Sequence, residues 1–263
     1  MKYALVNGQR QDAQPDLSGK CPVCRSPVIP QCGERKVWHW AHKGRRHCDP
    51  WWENEGPWHR EWKSHFPVEW QEFVQRADHG EKHIADVRTA REWVLEFQHS
   101  YLKPEERRSR DAFYGPKLIW VVNALRRQTD LTQFNKEMER PRHVGVIGEP
   151  FWVGSSGSCR LAEEWSGSDA QVLFDFGPKL GLMWMLGRLS NGQVFFARYT
   201  HAQFIEAHGA VEAEKDTDFA ALVEQLGTLV EEYERIVRSR STVRFQPQLP
   251  ASRRSTPRRR RRF

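Results

Sequence analysis

The sequence predicts a mixed α/β fold of the α+β kind, with a helix–strand–strand–strand–helix–strand core, a small Cys/His module before it and a basic tail after it. Three observations carry this reading. Four of the five cysteines crowd into residues 21–48. Three short runs of period-two alternation follow one another between residues 68 and 98. Helical patterns flank those runs, and a continuous apolar run closes the set.

The elements follow in order. Residues 1–50 form the Cys/His-rich module. Residues 51–66 read as a helix, because Pro57 suits a first turn and Trp58, Trp62 and Phe66 recur at four-residue steps. "VEWQEFVQ" (68–75), "HIADVRT" (83–89) and "EWVLEFQ" (92–98) read as three hairpin-connected strands. "KPEERRSRDAFYG" (103–115) reads as a helix opened by Pro104 and closed by Gly115. "KLIWVVNA" (117–124) reads as a strand buried on both faces. Residues 1–50, 51–124, 125–240 and 241–263 thus divide into module, core, a further α+β region of unassigned role and tail. In the third part, "PFWVG" and residues 171–199 read as strands, with "LSNGQV" as a hairpin turn. Residues 218–240 read as a helix with apolar positions at Phe219, Leu222, Leu226, Leu229 and Val230. The Pro/Ser/Arg-rich end is expected to be disordered.

Composition narrows the function. The chain has 263 residues and a mean hydropathy of −0.76. Its longest apolar run, "LIWVV", is far short of a membrane span. The N-terminus lacks the basic-then-apolar build of a signal peptide, so a cytoplasmic protein is expected. The net charge is +7, and the seven arginines of "RRSTPRRRRRF" (253–263) account for all of it. A nucleic-acid footprint on the body therefore has to be local. Seven of twelve tryptophans fall between residues 38 and 70. They serve either as core or as base-stacking platforms.

Asp86 and Glu96 pose a problem, since each stands in a run that otherwise reads as buried strand. In a strand, Glu96 and Gln98 share the face opposite Trp93, Leu95 and Phe97. If the strands form a hairpin, Asp86 can face Glu96. Two carboxylates alone would repel. A Mg²⁺ or Mn²⁺ ion resolves the conflict, taking carboxylate oxygens and completing its shell with water and phosphate. Pairing with Arg88 or Arg91 on a solvated face is the plainer alternative.

At this point the order of motifs becomes informative. "HWAHKGRRHCD", "WENEGPWHREWK", "GEKHIADVRT", "WVLEFQHS", "EERRSRDAFY" and "IWVVN" together resemble the competence protein CoiA-like family, over roughly residues 20–124. That family carries a restriction-endonuclease-like domain of the PD-(D/E)xK nuclease superfamily. The resemblance implies a metal-dependent deoxyribonuclease that acts on DNA during uptake or recombination, with Asp86 and Glu96 as ligands of the catalytic ion. It places Gln98 where the wider superfamily more often has lysine, which leaves the general base open. Glu55, His59 and Lys63, four residues apart, form a stripe beside the tryptophans. The first helix of such folds often lends a glutamate to the metal, and the spacing favours Glu55 over Glu53. Arg107, Arg108 and Arg110 could hold a DNA phosphate or pair with Glu105, Glu106 and Asp111.

"CPVC" (21–24) suits one tetrahedral metal, a structural Zn²⁺. The expected ligands are Cys21, Cys24, His42 and Cys48, with His39 as the rival to His42 and Cys32 as a spare. Two other functions remain open. The His39–Cys48 segment could itself be the nuclease centre, or the chain could be an inactive zinc-containing DNA-binding protein.

Overall fold

The computed structural model describes residues 1–44, 48–51, 55–138, 152–209 and 219–243. Glu53, His47 and the arginine-rich tail expected to be disordered lie outside the described residues.

The module is a five-stranded sheet: β1 (Tyr3–Val6), β2 (Gln9–Asp12), β3 (Gly19–Lys20), β4 (Pro27–Gln31) and β5 (His39–His42), in the order β2-β1-β3-β4-β5. Asn7 and Gly8, with φ of 51° and 85°, make the β1–β2 turn. The Asn-Gly pair suits it, because both residues tolerate the left-handed region. Trp40 fills the small core and donates its indole N–H to the Gln11 carbonyl at 2.9 Å. Gly19 is required beneath it, since a Cβ there would lie 2.9 Å from the Ala4 Cβ.

The rest of the described chain builds one eight-stranded sheet. Its first half follows the expected order of elements: α1 (Pro57–Ser64), β6 (Gln71–Arg76), β7 (Lys82–Arg88), β8 (Val94–Gln98), α2 (Pro104–Tyr114) and β9 (Leu118–Asn123). Helix α1 is shorter than its pattern suggests. Gly56 is its extended N-cap and Pro57 its first residue, so Glu55 precedes the helix rather than riding on it. After β9 come α3 (Gln128–Met138), β10 (Trp152–Ser155), α4 (Arg160–Trp165), β11 (Gln171–Asp175), α5 (Gly177–Leu180), β12 (Leu182–Arg188), β13 (Gln193–Tyr199), α6 (His201–Gly209) and α7 (Phe219–Val243). The short α3, α4 and α6 carried no readable period beforehand.

The strand order is β10-β13-β12-β11-β9-β8-β7-β6. β8 and β9 are parallel, β9 and β11 are parallel, and the other pairs are antiparallel. The sheet therefore runs on past residue 124 without a break. Every residue of β9 is buried, as a strand covered on both faces requires. Ile119 and Val121 join a core with Trp62, Phe97 and Phe204, while Leu118, Trp120 and Val122 join one with Tyr114 and Trp165.

The tryptophans divide accordingly. Trp40 is core. Trp58 and Trp62 both donate indole N–H groups to Asp175 Oδ2, at 2.8 and 2.9 Å. Trp51 stacks on His83, and Trp38 is exposed. No helix among the described residues is long and apolar enough to cross a membrane.

Candidate functional site

The cleft originates in two local failures of strand pairing. β7 and β8 pair only at Val87↔Leu95 and Arg88↔Val94. One step further the register sets Asp86 against Glu96, and there the ladder stops. On the other side of β7, Gln71↔Val87 and Phe73↔Ala85 bracket Glu72 opposite Asp86. Glu72 has a φ of 46°, a left-handed conformation that costs about 1–2 kcal/mol in a non-glycine residue. Glu72, Asp86 and Glu96 thus form a row across three strands. Where β8 no longer serves as a partner, carboxylates take over: Asp86 Oδ2 accepts the Phe97 N–H at 2.9 Å, and Asp49 Oδ2 accepts the Ile84 N–H at 2.8 Å.

Glu55, His59, Lys63, Asp86, Glu96 and Gln98 all line this cleft, which has about 50 Å³ of free volume. Lys63 is fully buried, with its Nζ 2.6 Å from Glu55, 3.3 Å from Glu72 and 3.9 Å from Asp86. Burial opposes its charge, but these three acids hold its pKa above the usual lysine value. Burial likewise opposes ionisation of Glu55, yet Lys63 and His59 bring it down to about 2. His59 Nε2 lies 2.8 Å from Asp86 Oδ1, close in distance but poorly directed as a hydrogen bond. The contact outweighs burial on both sides, raising the His59 pKa and lowering that of Asp86. Lys63 and the Phe97 N–H add to the lowering.

Glu96 is different. Burial and the charge of Asp86 push its carboxyl up to about 8, and Arg110 only partly offsets them. Its Oε2 is 3.3 Å from Arg110 Nη1, while its Oε1 is buried without a hydrogen-bond partner. Gln98 donates its amide N–H groups to Ser100, to the carbonyl at 3.1 Å and to Oγ at 3.2 Å. The arginines of α2 turn to acids and carbonyls: Arg110 to Glu96 and Glu106, Arg107 to the Glu164 carbonyl and Asp111, Arg108 to Glu105.

Ligand atoms of Glu55, His59 and Asp86 all lie within 4.8 Å of one another. Around Mg²⁺, with metal–oxygen distances of about 2 Å, neighbouring ligands stand about 3 Å apart and opposite ones about 4 Å. Small movements would bring this set onto one ion, and the unsatisfied Glu96 oxygen is the further hard donor the cleft offers. The residues fit a hard divalent cation. Glu96 stands outside the tightest group, which its spacing to Asp86 in the sequence did not foretell. Glu72 and Asp49, neither singled out beforehand, also line it, as does Arg110, one of the arginines read from sequence as either phosphate ligands or ion-pair partners.

The second cluster lies in the module. Ligand atoms of Cys21, Cys24, His42 and Cys48 are all within 4.8 Å of one another, a set that could hold a metal such as zinc. The Cys21–Cys48 sulfurs are 3.5 Å apart, and Cys24 Sγ is 3.3 Å from His42 Nε2. A tetrahedral site with Zn–S near 2.3 Å asks for edges of about 3.5–3.8 Å, so the set fits. The turn is built for it: the Val23 N–H points at Cys21 Sγ, the Arg25 N–H at the Cys21 carbonyl, and Arg25 takes a φ of 64°. Burial resists ionisation of Cys24, but Ser26 and His42 bring it down to about 6. His39 stays outside, its Nδ1 bonded to the Val37 carbonyl. Cys32 stays outside as well.

Residues 18–50 match the N-terminal domain of competence protein CoiA. The match spans both halves of the cysteine cluster and bears out the CoiA-like resemblance there. It supports a competence-related function. No curated protein and no solved structure matches the chain.

Proposed function

We propose that this CoiA-like chain is a metal-dependent deoxyribonuclease of the PD-(D/E)xK class, with a restriction-endonuclease-like core and a zinc-stabilised N-terminal module, acting on DNA in uptake or recombination. One observation carries the reading: acids from four chain segments, the stretch before α1 and strands β6, β7 and β8, converge on one cleft, where a carboxylate oxygen of Glu96 is buried and unsatisfied. Lys63 and Arg110 offset part of this charge, and a divalent cation would take up the rest.

Asp86 and Glu96, supported by Glu55 and His59, would hold Mg²⁺ or Mn²⁺. The ion would supply charge for the phosphate and a more acidic water. The remaining work falls to the chain. Lys63 keeps Glu55 and Asp86 ionised and in place. Arg110 orients Glu96. His59 Nε2, 2.8 Å from Asp86 Oδ1, would give up its proton to join the ion's ligands. Gln98 carries no charge, so it can orient a water or phosphate but cannot replace the lysine common elsewhere in the superfamily.

Against a centre in the His39–Cys48 segment stand His42, which lies in the cysteine cluster, and His39, whose Nδ1 bonds to the Val37 carbonyl; His47 lies outside the described residues. The test is purified protein with Mg²⁺ or Mn²⁺ on single-stranded, duplex and branched DNA. Asp86→Ala should abolish EDTA-sensitive cleavage; because it also removes the acceptor of the Phe97 N–H and a partner of His59 and Lys63, a urea melt checks that the variant is folded under the assay conditions. Cleavage by that variant at the full rate would place the centre elsewhere, and a wild-type protein that binds DNA without cutting it would favour the inactive reading.

A further inference from the structure

Four residues join the two clusters. Cys48 belongs to the cysteine set, and the chain reaches the cleft at once through Asp49 and Trp51. Asp49 is only 4% exposed. Its Oδ1 accepts the Trp51 N–H and faces His83 Nδ1, both at 2.9 Å, while its Oδ2 accepts the Ile84 N–H at 2.8 Å. Ile84 is two residues before Asp86 on β7. The same segment reaches the other side of the cleft, where the Trp51 carbonyl accepts a hydrogen bond from Arg110 Nη2 at 2.8 Å and Arg110 holds Glu96.

Asp49 is therefore more than a local cap. β7 needs an acceptor for Ile84 where β8 has left it, and a buried N–H without one is costly. Asp49 supplies the acceptor and so keeps β7 held apart from β8. That separation leaves the Phe97 N–H to the Asp86 side chain. Without Asp49, the Ile84 N–H would seek another partner and the strand would shift at Asp86.

We propose that Asp49 is a positioning residue that transmits occupancy of the Cys21–Cys24–His42–Cys48 site to the carboxylate cleft, so that metal in the module sets the cleft's affinity for a divalent cation. The proposal rests on the reading of the cleft as a divalent-cation site. It assigns the module a part in tuning that site beyond holding residues 1–50 together. Outer-shell partners of metal ligands are worth about 10–100-fold in affinity, and Asp49 acts one step further out, through a strand.

The experiment uses the full chain and Mn²⁺ as probe. Binding is followed by electron paramagnetic resonance, zinc content by elemental analysis, and protection of the Ile84 amide by hydrogen exchange. Asp49→Ala should keep its zinc, lose protection at Ile84 and bind Mn²⁺ about tenfold more weakly. Asp49→Asn keeps an oxygen for the Ile84 N–H and should recover most of the protection and affinity. Should Asp49→Ala fail to fold, Asp49→Asn is compared with Cys48→Ser, which should lose zinc and Mn²⁺ affinity together. Full Mn²⁺ affinity in Asp49→Ala, or in zinc-free Cys48→Ser, would overturn the proposal. Failure of the underlying reading looks different: wild-type Mn²⁺ binding would then survive Asp86→Ala.

Discussion

Lys63→Met is the sharpest perturbation of the cleft. The methionine nearly conserves volume, so the change removes a charge rather than opening a cavity. In the wild type, Glu55 sits at about 2 against an ordinary 4.5. At about 1.4 kcal/mol for each tenfold change, that difference is worth about 3 kcal/mol. Breaking a buried ion pair from one side costs about 3–5 kcal/mol, so a loss of at least about 3 kcal/mol at pH 7.5 is expected. The pH dependence identifies the cause. A carboxylate with a lowered folded pKa stabilises the wild type above the ordinary value near 4.5, and that contribution is lost as pH falls through about 2. In the variant, burial dominates and the carboxylates near Lys63 rise, so stability should fall as pH increases. The gap between the two proteins should thus be widest at neutral pH and narrow towards pH 3.5. Urea melts followed by tryptophan fluorescence from pH 3.5 to 8.5 measure it. Added Mn²⁺ should restore part of the loss, because it replaces the missing cation. A loss under about 1 kcal/mol, or one equal at pH 4 and pH 8, would refute the account of Lys63 as the counter-charge.

Four further outcomes are expected. Because Glu96 titrates near 8, a cation that takes it as ligand must displace a proton, and Mn²⁺ affinity should rise with pH up to about 8 and then level off; calorimetry at pH 6.5, 7.5 and 8.5 should show this slope, and Glu96→Gln should lack it. Protein purified without added metal should contain about one zinc per chain, from one tetrahedral set, and Cys21→Ser should lose it and loosen residues 1–50; a zinc-free wild type with unaltered folding would contradict this. Asp175→Ala leaves two indole N–H donors without their acceptor, so it should cost about 2–4 kcal/mol in a thermal or urea melt. Deleting residues 250–263 should flatten the salt dependence of DNA binding, by roughly 0.7–0.9 in log–log slope for each phosphate that the tail had neutralised, with little change in cleavage at saturating DNA.

Local pattern made much of this legible. Period two marked β6, β7 and β8, and the four-residue step of Trp58, Trp62 and Phe66 marked α1. What stayed hidden was non-local. Parallel pairing of β9 with β11 joins segments some fifty residues apart, and nothing near either strand announces it. Glu72 joins the cleft only because it stands opposite Asp86 in a register that its own left-handed backbone interrupts. Arg110 could be read as a phosphate ligand or as an ion-pair partner, and only packing against Glu96 and Trp51 decides between them. The hairpin at Asn7–Gly8, by contrast, was written plainly in "YALVNGQRQD" and was eclipsed by the cysteines that follow it. His42 was the expected ligand and His39 its rival; the β4–β5 register, with Val28↔His42, brings His42 to the cysteines.

The fastening of α1 has a consequence for synthesis. His59 and Lys63 ride on a helix whose two indoles are tied to Asp175, more than a hundred residues downstream. A nascent chain that has emerged only through β9 holds every acid of the candidate cleft but lacks the anchor for that helix, and β9 still lacks its neighbour β11. The cleft therefore cannot reach its final geometry until most of the sheet has been translated. On the reading proposed above, the cation site would assemble only after residue 175 has been made, about two-thirds of the way along the 263-residue chain, a delay that needs no inhibitor and follows from the order in which the strands are joined.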